Sequence, residues 1–193
     1  YDLNVKAVNH RGYSKGAPEN TIPAYIMSKE KGYTYVECDV SFTKDSVAVL
    51  LHDSTIDRTS NGSGNVQSLT YEQLLQYDFG SWYNSKFTGT KIPTFKEFIM
   101  YCKGLGLHPY IELKSSGGYT EAQIRQVVDE VELCGMKGKV TYISFSATFL
   151  QYVKAYDEEA RLGFIADVTS STIATANGLK TGKNEVFMDV NYT

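Results

Sequence analysis

The fold is decided by residues 33–53, Y-T-Y-V-E-C-D-V-S-F-T-K-D-S-V-A-V-L-L-H-D, which have the pattern of a strand, a short turn and a second strand. Alternate residues of a strand point to the same side, so the carboxylates of Glu37 and Asp39 share one face. The opposite face carries Val36, Cys38, Val40 and Phe42. Two acids on an otherwise apolar strand need water, basic partners or a metal ion.

The connector 43–46 is too short for parallel pairing, because a parallel neighbour needs a crossover of about a dozen residues or more. We therefore predict an antiparallel hairpin formed by residues 35–42 and 47–51. A turn centred on the middle of the connector places His52 opposite Glu37. An imidazole beside two carboxylates indicates a reaction centre.

Size and composition indicate an ordinary folded protein. With 193 residues, 42% of them hydrophobic and 21% charged, the chain is predicted to be a single domain, residues 1–193. A net charge of -3 gives no reason to expect nucleic acid, and no apolar run reaches the length of a membrane span. The chain opens on Tyr1 rather than Met, so a removed leader is one expectation, and cytoplasmic and extracellular locations both stay open. The three widely spaced cysteines form no metal motif, and we expect buried structural thiols at Cys38, Cys102 and Cys134.

Strand and helix patterns alternate along the rest of the chain. Besides the hairpin, strands are predicted at 5–10, 107–114, 139–145, 161–165 and 186–190. Helices are predicted at 21–31, with Thr21 as its cap, and at 71–76, 94–103, 120–134, 147–156 and 170–176. This alternation predicts an α/β fold, a TIM-type (β/α)8 barrel with six parallel strands and the hairpin arm. A doubly wound sheet is disfavoured because no G-x-G-x-x-G follows the first strand. The long irregular segment 54–93 is predicted to be an insertion or cap.

Glu112 and Lys114 repeat the two-residue spacing on a later strand. A buried ion pair between them is the plain structural interpretation. Together with Glu37 and Asp39, however, three carboxylates would converge against few cations. Such a cluster is strained unless a divalent ion neutralises it. Oxygen ligands without Cys or His favour one Mg²⁺ or Ca²⁺ ion over Zn²⁺.

Two of the three histidines, His10 and His52, follow strands on the side where these acids gather. A single histidine at a strand end is more often structural, but a pair beside a carboxylate cluster favours general acid–base chemistry. His108 begins its strand, at the far end, and is predicted to be structural. Arg11 and Lys114 add positive charge. A divalent ion, two cations and two histidines together suit a phosphodiester substrate.

Several short motifs follow one another in a fixed order: His10-Arg11-Gly12, Pro18-Glu19-Asn20-Thr21, Glu37-x-Asp39, Thr43-x-Asp45, His52-Asp53, Asp57-Arg58-Thr59 with Gly62 and Gly64, Ile92-Pro93-Thr94, and Glu112-x-Lys114. No single motif is specific, but in this order they resemble the glycerophosphodiester phosphodiesterases. The resemblance runs from His10 to Lys114, and beyond Lys114 the helix–strand alternation agrees more weakly.

The resemblance implies a β/α barrel with an insertion after the hairpin, here 54–93, and hydrolysis of glycerophosphodiesters to glycerol 3-phosphate and an alcohol. It assigns the metal ligands to Glu37, Asp39 and Glu112. It assigns general acid–base catalysis to His10 and His52, and phosphate binding to Arg11 and Lys114. Asn20 and Asp53 match family positions and are candidates for holding the metal site or the adjacent histidine in place, although structural capping explains Asn20 nearly as well. The aromatic residues Phe79, Trp82 and Tyr83 could cover the leaving alcohol or pack the insertion onto the barrel.

The eighth strand and closing helices of that family are not evident before Thr193. An unclosed barrel would expose a strand edge and apolar interior, which favours self-association. Two alternative functions stay open, a lipid-cleaving phospholipase of the same barrel type and a non-catalytic binding fragment. A metallohydrolase of the H-x-H kind is excluded because the sequence has no such pair.

Overall fold

A computed structural model describes residues 7–189 and gives them one seven-stranded sheet. Its strands are β1 (Val8–Asn9), β2 (Tyr35–Phe42), β3 (Ala48–Leu50), β4 (His108–Leu113), β5 (Thr141–Ser144), β6 (Arg161–Ile165) and β7 (Val186–Asp189). Six strands are parallel in the order β1-β2-β4-β5-β6-β7, and β3 pairs antiparallel with β2. The sheet curls into part of a TIM-type barrel, as predicted. Rings of Tyr110 on β4 and Phe187 on β7 accordingly lie 6.3 Å apart across the concave side, although two strands separate them in the sheet.

The helices are α1 (Ile22–Glu30), α2 (Tyr71–Leu74), α3 (Phe95–Leu105), α4 (Glu121–Leu133), α5 (Ala147–Tyr156) and α6 (Ser170–Gly178). All six lie where the sequence predicted a helix, with ends that differ by at most two residues. Capping explains the boundaries of α3: the Thr94 hydroxyl accepts a hydrogen bond from the Glu97 backbone, and Gly106 ends the helix in the left-handed conformation, φ 65°. Thr21 is the N-cap residue of α1, as predicted, but its hydroxyl donates to the Pro18 carbonyl and makes no capping hydrogen bond to the helix.

The antiparallel pairing of β2 with β3 is confirmed, but the predicted register is wrong by one residue. Ser41 pairs with Val49, which would set Asp53 rather than His52 opposite Glu37. The connection is one residue longer than expected, because Thr43 N donates to the carbonyl of Val47. Ser46 takes a positive φ of 59° inside this wider turn.

The main core lies between the convex side of the sheet and the helices, and it contains the apolar face of β2 that alternation predicted. Phe98 of α3 lies fully buried there, with its ring 4.4 Å from that of Tyr25 on α1. Tyr25 in turn donates to Asn20, next to the carboxylates of β2. Packing on the outside of the sheet therefore supports the polar groups inside it.

Segment 54–93 has its own smaller cluster of buried residues, formed with the end of the hairpin by Val49, Leu51, Ile56, Val66, Leu74, Phe79 and Ile92. The carboxylate of Asp78 organises one of its loops, since it accepts hydrogen bonds from the backbone N–H groups of Gly80, Ser81 and Gly89. Phe79 is only 3% exposed, so it packs in this cluster and cannot cover a ligand; Trp82 is 37% exposed.

The predicted strands 5–10 and 186–190 extend beyond the described residues at 5, 6 and 190, and His10 lies in the turn after β1. Within residues 7–189 no ladder joins β1 to β7, and self-association through this edge stays a prediction. The division into one domain with an inserted segment also stays a prediction.

All three cysteines are buried and free, as expected. In the described part of the chain, every helix is too short or too polar to cross a membrane.

Replacing Phe98 by Ala should lower the free energy of unfolding by roughly 3–5 kcal/mol, because it opens a cavity beneath Tyr25 in a closely packed core. Urea unfolding followed by circular dichroism measures this loss. Met100 on the same helix is 58% exposed, so Met100→Ala is the matched control and should change stability little. Equal losses in the two variants would contradict the packing described here.

Candidate active site

Three carboxylates meet on the concave side of the sheet, where β2 and β4 run side by side. The parallel register pairs Asp39 with Glu112, and Glu37 lies two residues earlier on the same face of β2. One oxygen from each side chain lies within 4.8 Å of the others, so these residues could hold a metal ion. All three are buried: Glu37 is 5% exposed, Asp39 0% and Glu112 7%. The convergence predicted from the two-residue spacing is therefore present.

Glu37 Oε1 is buried and has no hydrogen-bond partner in the structure, while the buried oxygens Asp39 Oδ1 and Glu112 Oε1 share one ammonium, Lys114 Nζ, at 3.4 and 3.0 Å. A buried acceptor left unpaired is costly, and three buried carboxylates side by side repel one another. Burial first, and then the charge of Asp39, raise the pKa of both Glu37 and Glu112. Hard carboxylate oxygens that lie within 4.8 Å of one another fit a divalent cation of the Mg²⁺ or Ca²⁺ type.

The two predicted cations lie beside these acids. Lys114 Nζ is 3.0 Å from Glu112 Oε1 and 3.4 Å from Asp39 Oδ1, and Arg11 Nε is 3.3 Å from Asp39 Oδ2. Burial alone would lower the pKa of Lys114, but Asp39 and Glu112 together raise it, so the ammonium stays charged. Two cations against three carboxylates leave one formal negative charge uncompensated, which favours an additional cation over a purely structural ion-pair cluster.

The turn after β1 brings backbone as well as side chains to the site. Arg11 takes a positive φ of 57°, which is uncommon for a residue with a side chain, and its N–H donates to Glu37 Oε2 over 2.7 Å. Gly12 follows at φ 79°, and a Cβ there would lie 2.8 Å from the Cβ of Ala24 on α1. The sequence His10-Arg11-Gly12 thus folds tightly enough to turn both functional side chains toward the carboxylates.

His10 Nε2 lies 3.9 Å from Glu37 Oε2. Desolvation by the surrounding walls, and then the charge of Arg11, lower the pKa of His10. Its side chain is still 66% exposed, so solvent limits the size of this shift. A neutral imidazole at the rim of the site can accept a proton at neutral pH.

Asn20 holds one of the acids in place. Its Nδ2 donates to Asp39 Oδ2 over 2.8 Å, while its Oδ1 accepts from the backbone N–H of Asp39 and from the hydroxyl of Tyr25. Asn20 is 3% exposed and adopts φ 55°. These contacts place Asn20 behind the carboxylate cluster rather than at a helix cap.

His52 follows β3 and lines the cleft that also contains Lys114. Its Nδ1 lies 2.8 Å from Asp53 Oδ1. The hydrogen bond from Arg58 first, and then that from His52, lower the pKa of Asp53 to about 2, so this group is an ionised acceptor at neutral pH. An ionised acceptor requires the proton on Nδ1, which leaves Nε2 free.

Two residues of this network had no role assigned from the sequence, Glu19 and Arg58. Arg58 Nε donates to Asp53 Oδ2 over 2.7 Å, and its two terminal nitrogens donate to the two oxygens of Glu19, each over 2.8 Å. Glu19 also accepts from Arg11 Nη1 over 2.9 Å. The motifs around both residues were visible, but their pairing joins positions 39 apart and has no local signature.

Cavities flank the acids on both sides. The larger, about 390 Å³, has His10, Glu37 and Glu112 on its polar wall, and its apolar walls consist of Val8, Tyr110, Ile143, Phe145, Ile165, Phe187 and Met188. A more polar cleft of about 240 Å³ lies next to His52, Asp53, Lys114 and Ser116. The larger cavity therefore gives access to His10, Glu37 and Glu112, and the cleft gives access to His52 and Lys114. His108 lies away from these cavities and contacts Thr141 and Tyr35, in keeping with the structural role predicted for it.

Comparison with known proteins agrees with this arrangement. A model of the glycerophosphoryl diester phosphodiesterase family matches residues 10–191. The chain belongs to this family. It is 33% identical over 163 residues to a glycerophosphodiester phosphodiesterase of Caldanaerobacter subterraneus, covering 84% of this chain and 67% of that one. It is 37% identical over 128 residues to mouse glycerophosphodiester phosphodiesterase 1, covering 65% of this chain and 39% of that one. The chain thus spans about two thirds of the length of the first of these family members and about two fifths of the second.

Solved structures of glycerophosphodiester phosphodiesterases have the same fold. The enzyme from Agrobacterium tumefaciens superimposes with a TM-score of 0.79 at 29% identity, over 96% of this chain and 76% of that chain. A phosphodiesterase from Oleispira antarctica, in complex with the product sn-glycerol-3-phosphate, superimposes with a TM-score of 0.82 at 28% identity. That match covers 91% of this chain and 72% of the other.

The raised pKa values of Glu37 and Glu112 predict how metal binding depends on pH. Without metal, the folded protein retains protons that the unfolded chain releases, so stability falls as pH rises from the ordinary carboxyl pKa to the raised values. A divalent ion favours the ionised carboxylates. The increase in Tm caused by Mg²⁺ or Ca²⁺ should therefore be larger at pH 8 than at pH 5. At a hundredfold excess over Kd, the bound ion should add about 2.7 kcal/mol to the free energy of unfolding.

Glu37→Gln is the informative variant for this thermal unfolding experiment, because it resembles the protonated acid and keeps an acceptor for the Arg11 N–H. It should lose most of the metal response at pH 8. Glu130→Gln on α4 is the matched control, since burial also raises the pKa of Glu130 and one of its oxygens is unpartnered, but it lies outside the three-acid group. An unchanged metal response in Glu37→Gln would contradict the assignment.

Proposed function

We propose that this chain hydrolyses glycerophosphodiesters to glycerol 3-phosphate and an alcohol, with one divalent ion held by Glu37, Asp39 and Glu112. The observation that carries the proposal is the group of three buried carboxylates, with oxygens within 4.8 Å of one another, beside two cations and two histidines. Family membership supports the reaction class. The Oleispira antarctica phosphodiesterase, which was solved with sn-glycerol-3-phosphate, supports the nature of the product.

The phosphate of the substrate would lie over the carboxylate cluster. A divalent ion bound there supplies positive charge that stabilises the phosphoryl oxygens as negative charge builds up on them. Lys114 lies beside the same acids and contributes a further positive charge to the phosphoryl group. Arg11 is tied to Glu19 and Asp39, so its guanidinium contributes to the field at a fixed position while its N–H holds Glu37.

His10 accepts the proton of the attacking hydroxyl while the new bond between oxygen and phosphorus forms. Its suitability rests on the neutral imidazole favoured beside Arg11. The bond between phosphorus and the alcohol oxygen then breaks, and His52, which begins this step with a proton on each ring nitrogen, gives the departing alkoxide the proton on Nε2. Asp53 suits this role because its carboxylate on Nδ1 stabilises the protonated ring.

Attack by the glycerol 2-hydroxyl would give a cyclic phosphate. In the second step water attacks phosphorus, His52 takes the proton of that water, and His10 returns a proton to the 2-hydroxyl oxygen as the ring opens. Both histidines are then back in their starting protonation states, so the two steps balance. Direct attack by water needs the same pair of groups.

The experiment compares two leaving groups with the wild-type chain and its His10→Ala and His52→Ala variants. Release of glycerol 3-phosphate from glycerophosphocholine should be lost in EDTA, restored by Mg²⁺ or Ca²⁺, and reduced roughly 100- to 10,000-fold in either variant. Release of p-nitrophenolate from p-nitrophenyl glycerophosphate needs no proton donor. In a single turnover, His52→Ala should therefore release p-nitrophenolate at most of the wild-type rate, while His10→Ala should not.

Each result decides one part of the proposal. Turnover that is unaffected in both histidine variants would rule out the acid–base pair. If His10→Ala, and not His52→Ala, keeps its activity on p-nitrophenyl glycerophosphate, the roles of the two histidines are reversed. Absence of glycerol 3-phosphate under every ion would contradict the reaction itself. Cleavage of phosphatidylinositol or sphingomyelin vesicles in its place would favour the lipid-cleaving alternative.

A further inference from the structure

Arg58 uses its whole guanidinium to bridge two acids. Nε is bonded to Asp53 Oδ2 at 2.7 Å, Nη1 to Glu19 Oε2 at 2.8 Å and Nη2 to Glu19 Oε1 at 2.8 Å. This arrangement depends on the planar fork of the guanidinium, and the point charge of a lysine cannot reproduce it. Because three of its nitrogens are already paired with protein oxygens, Arg58 is not placed to bind the substrate phosphate.

Both acids that Arg58 bridges contact functional groups of the proposed site. Asp53 contacts the His52 ring through its other oxygen, Oδ1, at 2.8 Å. Glu19 accepts from Arg11 Nη1 at 2.9 Å. A continuous chain of charge-assisted hydrogen bonds therefore runs from His52 through Arg58 to Arg11, and it joins the loop after β1 to the segment after the hairpin.

The Asp53 carboxylate has a separate partner for each oxygen, and this determines the orientation of His52. With Oδ2 bonded to Arg58, Oδ1 faces Nδ1 of His52. The Asp53 side chain is 29% exposed, so without Arg58 it could rotate into water. Loss of that acceptor would free the imidazole to change its tautomer and its direction.

We propose that Arg58 is a positioning residue for the reaction: through Asp53 it holds His52 with Nδ1 protonated and Nε2 directed to the substrate, and through Glu19 it fixes Arg11 relative to that ring. This inference rests on the proposed function, in which His52 transfers a proton. The alternative is that Arg58 only fastens segment 54–93 to the loop after β1.

The tautomer of His52 can be measured without turnover. Long-range ¹H–¹⁵N spectra of the wild-type chain at pH 8 should show His52 protonated on Nδ1; the chain has only three histidines, and His52→Gln assigns the signal. In Arg58→Met the signal should shift to a mixture that includes the Nε2-protonated form. An unchanged Nδ1-protonated spectrum in Arg58→Met would overturn the proposal.

Kinetics on glycerophosphocholine give the second readout. Arg58→Met should lower kcat by roughly 10- to 100-fold with little change in KM, as is typical when the partner of a functional residue is removed. Arg58→Lys should fail to restore kcat although it keeps the charge, and it carries the test if Arg58→Met does not fold. Arg125→Met is the matched control, because Arg125 is an exposed arginine paired with Asp129 on α4.

A double-mutant cycle separates positioning from fastening. If Arg58 acts through Asp53, the variant with both Asp53→Asn and Arg58→Met should lose no more activity than the more damaging single change. Full restoration by Arg58→Lys, or losses that add, would overturn the proposal. Absence of wild-type turnover would contradict the proposed function instead, and the His52 spectrum would still decide the role of Arg58.

Discussion

The repulsion among three buried carboxylates is the constraint on which the rest of the site depends. Glu37, Asp39 and Glu112 lie on the concave side of adjacent parallel strands, where protein walls replace water. Their own neighbours do not balance them: two cations face three carboxylates, and Glu37 Oε1 is left without a partner. An apolar core would have been the simpler way to fill this space. The cluster makes physical sense as a place for a divalent ion and an anionic substrate.

The surroundings of the cluster are arranged to hold these charges in place. Asn20 donates a hydrogen bond to Asp39 Oδ2, and the backbone N–H of Arg11 donates one to Glu37 Oε2. The positive φ of Arg11 is the conformational cost of its contact with Glu37. Further out, Tyr25 connects Asn20 to the packed core through Phe98. Polar geometry inside the barrel is thus stabilised by hydrophobic packing outside it. The histidines and the Arg58 bridge form a separate layer at the rim.

Alternation along strands made much of this predictable, because a two-residue spacing of acids on β2 and β4 has only one geometric meaning in a parallel sheet. The hairpin register was not predictable in the same way. The register depends on whether Thr43 pairs with Ser46 or with Val47 at the end of the connection. The observed pairing with Val47 requires a positive φ at Ser46, which the residue type does not predict. Thr21 precedes a helix yet bonds backward to Pro18. The Glu19–Arg58 pair is long-range, so only the folded chain brings it together.

The central claim is that the three carboxylates together bind one divalent ion. The most direct measurement is anomalous diffraction from crystals of this chain soaked in Mn²⁺, which reports the position of the ion independently of activity. The account predicts a single strong peak at roughly 2.0–2.6 Å from oxygens of Glu37, Asp39 and Glu112. A site without a peak at saturating Mn²⁺, with Lys114 still paired to Glu112 and Asp39, would show that the cluster is a structural ion-pair network and would contradict the account.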